Sequence, residues 1–111
     1  MENSPNSQVI GFDTELSVNA ATFDGTAKLI GTLSNNPVMI LFKNQTTVSV
    51  FLADNTGATK GTTMAESEEI IIDCDANRAL AAHRSWPVGT SFYATGVAGT
   101  GSFKISVIYA K

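Results

Sequence analysis

Cysteine is all but missing from this chain. Cys74 is the only one, so no intramolecular disulfide can form. Histidine is equally scarce, with His83 alone, and the carboxylates are scattered. No zinc-ligand spacing arises from such a set, and no stretch matches the twelve-residue EF-hand loop. Charge is sparse too. Charged residues make up 15% of the chain, against about 25% in an average soluble domain. The net charge is −3, and the cations at Lys28, Lys43, Lys60, Arg78, Arg84, Lys104 and Lys111 form no stripe. A duplex finds no electrostatic footprint here, and an anionic membrane surface finds little to attract. Long apolar runs are missing as well: nothing approaches the roughly twenty residues that span a bilayer. The segment Met1–Gln8 lacks the basic start and apolar run of a signal peptide. The expectation is synthesis in the cytoplasm with Cys74 kept reduced.

What is present is a 111-residue chain, 43% hydrophobic, with polar character supplied by Thr, Ser and Asn. That length fits one domain with one core. Residues 1–10 are polar and read as a flexible arm preceding a domain over 11–111. From Leu16 onward the apolar period is mostly two, the signature of half-buried strands. Val38-Met39-Ile40-Leu41-Phe42-Lys43 is almost continuously apolar and reads as a strand buried on both faces or covered by a partner. Thr47 to Ala53 alternates, with Val48, Val50 and Leu52 on one face, and the link Asn44-Gln45-Thr46 has hairpin length. Ile70, Ile72 and Cys74 share a face, as do Phe103, Ile105, Val107 and Tyr109. Ser91 to Thr95 is a further strand. Leu16 to Asn19, Ala27 to Leu33 and Thr62 to Ala65 are weaker ones. Asp75 to Arg84 is Ala-rich and can start with Asp75 as N-cap, giving a short helical crossover. Seven or eight short strands at spacings near ten residues predict an all-β fold, a small antiparallel β-sandwich or jelly roll, with a closed barrel as the alternative.

Chemistry has few residues to work with. Cys74 and His83 form the one conceivable thiol pair, but Cys74 shares the face of Ile70 and Ile72, where a thiol acts as a small buried hydrophobe. His83 reads as a surface residue. Glu66, Glu68, Glu69, Asp73 and Asp75 form an acidic stretch. Its plain reading is a solvated edge that discourages strand pairing, ahead of a loose calcium site. Gly96-Val97-Ala98-Gly99-Thr100-Gly101 has the wrong order for a dinucleotide fingerprint and reads as a hairpin loop. Asn44-Gln45-Thr46 fits the glycosylation pattern without the secretory context that would give it meaning. Trp86, beside Pro87, reads as a cap on the core, with an interface anchor as the competing reading. No catalytic, cofactor or metal residues emerge, and no cofactor is expected. The candidate interface residues are Val9 and Ile10 on the arm, Phe12 at the domain edge, Met39 and Leu41 on the apolar strand, and Trp86.

The strand pair Val38–Asn44 and Thr47–Leu52, Gly61-Thr62-Thr63-Met64 leading into Glu68–Ile72, and Pro87–Gly96 followed by Gly99–Val107 together resemble the decoration proteins of tailed-phage heads, called cement or staple proteins. The chain length is similar to that of the staple proteins of short-tailed epsilon-type Salmonella phages. The resemblance covers about two thirds of the chain. It implies a jelly-roll or related sandwich on the outside of the virion. Such a protein binds major capsid protein subunits and reinforces the shell. The limited contact area of a small domain separately favours a homodimer across shell two-folds, which makes binding bivalent. The alternative from the residues is a carbohydrate-binding module or a small part of a phage fibre, with Trp86, Tyr93 and Tyr109 as stacking faces.

Overall fold

Residues 10–74 and 86–110 are described by a computed structural model. Nine strands follow one another: β1 (Ile10–Phe12), β2 (Leu16–Asn19), β3 (Lys28–Thr32), β4 (Pro37–Thr46), β5 (Val50–Ala53), β6 (Gly61–Met64), β7 (Glu69–Asp73), β8 (Ser91–Thr95) and β9 (Gly101–Ala110). All pairings are antiparallel. They build two sheets. One runs β1-β9-β4-β7, with β2 also on β9; the other runs β3-β8-β5-β6. With β1 set aside, the orders 2-9-4-7 and 3-8-5-6 interleave as in an eight-stranded jelly roll. The expected all-β sandwich is therefore the fold, and the barrel alternative falls.

Period-two alternation fixes which side chains meet between the sheets. Ile40 and Phe42 of β4 and Phe103, Ile105 and Val107 of β9 are buried from one side. Val50 and Leu52 of β5, Met64 of β6, and Phe92 and Ala94 of β8 are buried from the other. Ile70, Ile72 and Cys74 pack against this core at its margin, on the face expected of them. Asn19 caps a single 3-10 turn, Ala20–Thr22, by accepting from the Ala21 amide at 2.9 Å.

Two connections differ from the sequence reading. Asn44-Gln45-Thr46 is not a hairpin link: β4 runs through it to Thr46, and β5 lies in the opposite sheet. The cause is Asn44, which is completely buried. Its amide nitrogen reaches the carbonyls of Val48 (3.0 Å), Met64 (3.0 Å) and Ala65 (3.1 Å). Its oxygen accepts from the Thr46 amide (3.1 Å) and hydroxyl (2.6 Å). One side chain thus ties the end of β4 to the turn into β5 and to the turn leaving β6. Gly96–Gly101 is likewise no hairpin loop. It carries the chain from β8 in one sheet to β9 in the other. Gly101 sits at φ +82°, and a Cβ there would collide with the Gln45 carbonyl oxygen, so no other residue fits. The true hairpin joins β5 to β6. There Asn55 folds Asp54–Lys60 by accepting from the amides of Thr59 (3.1 Å) and Lys60 (2.9 Å). The helical crossover expected over 75–84 lies outside the described residues.

Candidate interaction face

The outward side of the first sheet follows from strand register, because directly opposed residues project to one face. Phe12 of β1 opposes Ile108 of β9, Met39 of β4 also meets Ile108, and Leu41 lies opposite Ile71 of β7. These five side chains form a diagonal apolar band across β1, β9, β4 and β7, bordered by Asp73 opposite Met39 and Ser106 opposite Leu41, and extended by Ile10 beside Ala110. Phe12 is 82% exposed, Ile71 63%, Ile10 56% and Met39 37%; Leu41 and Ile108 are half-buried between them. Further along the same strands the face turns polar. Lys43 lies between Lys104 and Glu69, and Glu15 binds Lys43 at 3.3 Å and Ser106 at 3.1 Å. Slight desolvation opposes ionisation of Glu15, but the bonds from Lys43 and Ser106 outweigh it and hold its carboxyl below the usual range.

Four of the candidates named from sequence, Ile10, Phe12, Met39 and Leu41, thus meet on one surface. Two corrections attach to them. Ile10 is not part of a loose arm, because it pairs with Ala110 as the first residue of β1. The apolar run Val38–Phe42 is not buried on both faces: Ile40 and Phe42 enter the core, while Met39 faces out. Two further members, Ile71 and Ile108, carry no interface signal in the sequence, since their neighbours on the same strand face are Glu69 and Asp73, and Ser106 and Ala110, and only register places them beside other large apolar residues. Val9 lies outside the described residues.

Trp86 is elsewhere. Its ring packs edge-on against Phe42 (centroids 5.6 Å apart) and Phe92 (5.3 Å), and those two rings meet at 5.4 Å. Its Nε1–H donates to Asp54 at 2.9 Å. It caps the core from between the sheets, the first of its two readings from sequence, and takes no part in the outer face. Tyr93 belongs to β8 and Tyr109 to β9, in opposite sheets, so the three aromatics do not make one stacking platform.

The remaining candidates are placed as follows. Cys74 is half-buried against the core, its thiol 3.8 Å from the Ile72 carbonyl; His83, its conceivable partner, lies outside the described residues. Glu69 and Asp73 are exposed on β7, an edge strand, which is the solvated edge expected. Among the described residues no group of three or more His, Cys, Asp or Glu is arranged to hold a metal ion. Asn44, as a fully buried and fully bonded amide, is inaccessible to glycosylation in the folded protein.

Fold and face together define a jelly-roll β-sandwich with an outer surface half apolar and half charged. No family model matches the chain, and no curated protein matches it. A solved chain from the structure "Bacillus endospore appendages form a novel family of disulfide-linked pili" is similar to it, with 16% identity and a TM-score of 0.47 over 99% of this chain and 96% of that one. Likeness at that level carries no argument about function.

Proposed function

We propose that this protein is a non-catalytic structural protein that docks on the outer surface of a phage shell, with the apolar band of its first sheet seated on major capsid protein. The observation that carries the reading is the band Phe12–Ile108–Met39–Leu41–Ile71. Large apolar side chains collected on one solvent-facing sheet surface mark an interaction site. An apolar centre bordered by charged residues, here Lys43, Lys104, Glu15 and Glu69, has the anatomy of a protein interface with its polar rim. The resemblance to decoration proteins supplies the partner. Pairing of the domain as a homodimer across shell two-folds would make attachment bivalent and raise avidity by about 10²–10⁴.

The test is co-sedimentation with undecorated heads. Met39→Lys and Ile71→Lys each place an ammonium in the middle or at the edge of the band without touching the core. Each variant is expected to bind at least about tenfold more weakly, equivalent to about 1.4 kcal/mol. If both remain folded and co-sediment like the unaltered protein, the band is not the contact surface.

A further inference from the structure

Between the two sheets, at the margin formed by β6 and β7, lies a cleft of about 410 Å³. Ile70 and Ile72 of β7 form one wall and Leu52 of β5 the other, with Phe42, Phe92 and Trp86 lining the rest. We propose that this cleft is a binding site for a small, uncharged, largely apolar molecule carrying a single ring. The site is independent of the outer face and of what that face binds.

The volume falls within the roughly 300–1,000 Å³ of small-molecule sites. At about 30 Å³ per water-sized unit it accommodates on the order of ten non-hydrogen atoms. The walls are aliphatic and aromatic, the lining typical of such sites. Among the described residues, the charged groups bordering the cleft are the exposed Asp54 and Lys60, of opposite sign. Asp54 already accepts the Trp86 indole N–H at 2.9 Å, which leaves one carboxylate oxygen uncommitted to that bond. This pair favours neither an anion nor a cation, since each meets a like charge beside its partner. A neutral ring with one hydroxyl matches the walls and can bond at the border. The aromatic cluster supplies ring edges for it in the geometry already adopted among Phe42, Phe92 and Trp86.

Trp86 is the only tryptophan, so its fluorescence reports occupancy of this cleft alone. The probe is 4-bromobenzyl alcohol, whose bromine quenches indole emission on contact. Titration is expected to give saturable quenching in the micromolar to low millimolar range, with shifts of the Ile70 and Ile72 methyl resonances over the same concentrations. Ile70→Phe, which fills the cleft from its β7 wall, is expected to remove the saturable component. Methyl shifts confined to Ile70 and Ile72 support the site even if that variant fails to fold. Strictly linear quenching, with no movement of those methyl signals in the unaltered protein, would show that the protein fills this space itself and would overturn the proposal. Neither outcome bears on head binding, which is read separately by co-sedimentation.

Discussion

Asn44 offers the sharpest test of why this chain folds as it does. Replacing it by Ala strands a group of partners at once. The Met64 carbonyl loses its amide donor and the Thr46 amide loses an acceptor, whereas the Ala65 carbonyl keeps the Glu68 amide at 3.1 Å. The Val48 carbonyl keeps the Thr46 hydroxyl at 2.9 Å, and so survives. A buried polar group left without a partner costs about 1–3 kcal/mol, and water entering the vacated space offsets part of that. With two groups left unpaired, the net loss expected for Asn44→Ala is about 2–4 kcal/mol, towards the upper end for a single substitution. Asn44→Asp is the more discriminating change. It puts carboxylate oxygens against two or three carbonyls, so the ionised form is strongly disfavoured in the fold and the folded pKa rises above the unfolded value near 3.9. Below about pH 4 both states are neutral and the Asp variant can still donate one hydrogen bond. As pH rises from there towards the folded pKa, the unfolded state sheds its proton first and stability falls. Urea unfolding from about pH 3 to pH 7 measures this directly. Asn44→Asp should be no worse than Asn44→Ala in acid and clearly worse at neutrality. A loss below about 1 kcal/mol for Asn44→Ala, or a flat pH response for Asn44→Asp, would refute the view that this amide holds the crossing from β4 to β5.

Three further outcomes follow from burial and charge. Ile105→Ala should cost about 2–4 kcal/mol, since Ile105 is fully enclosed, whereas the partly exposed Ile72 beside the cleft should cost only about 1–2 kcal/mol; equal losses in urea unfolding would mean that β7 is packed more tightly than described. Asp24 accepts from the Thr26 hydroxyl and then from Lys28, and its pKa falls from 3.8 to about 2. Its charge therefore favours the fold above about pH 4, and that contribution disappears as pH drops towards 2. The urea midpoints of Asp24→Asn and the unaltered protein should converge over that range, and a constant gap would contradict the assignment. Cys74→Ser should leave the proposed head binding unchanged and lower stability by no more than about 1–2 kcal/mol, because a half-buried hydroxyl can reach the Ile72 carbonyl or water; a folded Cys74→Ser protein that has lost binding shown by the unaltered protein would show that the thiol has a role.

Alternation made most strands legible before any coordinates. Ile70 and Ile72, or Phe103, Ile105 and Val107, can face a core only as strands of period two, and they do. Leu16–Asn19 and Ser91–Thr95 coincide with the strands read from sequence. Sheet membership was not legible. A short polar link between two apolar runs looks the same whether the chain turns back within a sheet or steps to the other one. At Asn44 the difference is made by an amide whose five contacts come from two separate stretches of chain, Thr46–Val48 and Met64–Ala65. Ile10–Phe12 was missed as a strand because three residues offer no period; its partner, Ile108–Ala110, lies at the far end of the sequence. The candidate face was half legible for the same reason. Exposed apolar residues can be named from their positions, but only the pairing of β1, β9, β4 and β7 puts Phe12, Met39 and Ile71 in one band.

The central position of β9 sets the order in which this protein can be made. β9 lies between β4 on one side and β1 and β2 on the other, and β4 and β9 are the two longest strands. As the polypeptide leaves the ribosome, β1, β2 and β4 emerge with no partner between them until β9 appears. Loop closure over most of the chain must precede the main pairing, which makes folding slow relative to helical domains of the same size. During that interval the apolar inner face of β4 has only β7 beside it in its own sheet, with an open edge on the other side. A nascent or truncated chain lacking β9 is therefore a sheet with its middle strand missing. Such a product should be found in aggregates or with chaperones rather than as a smaller folded form.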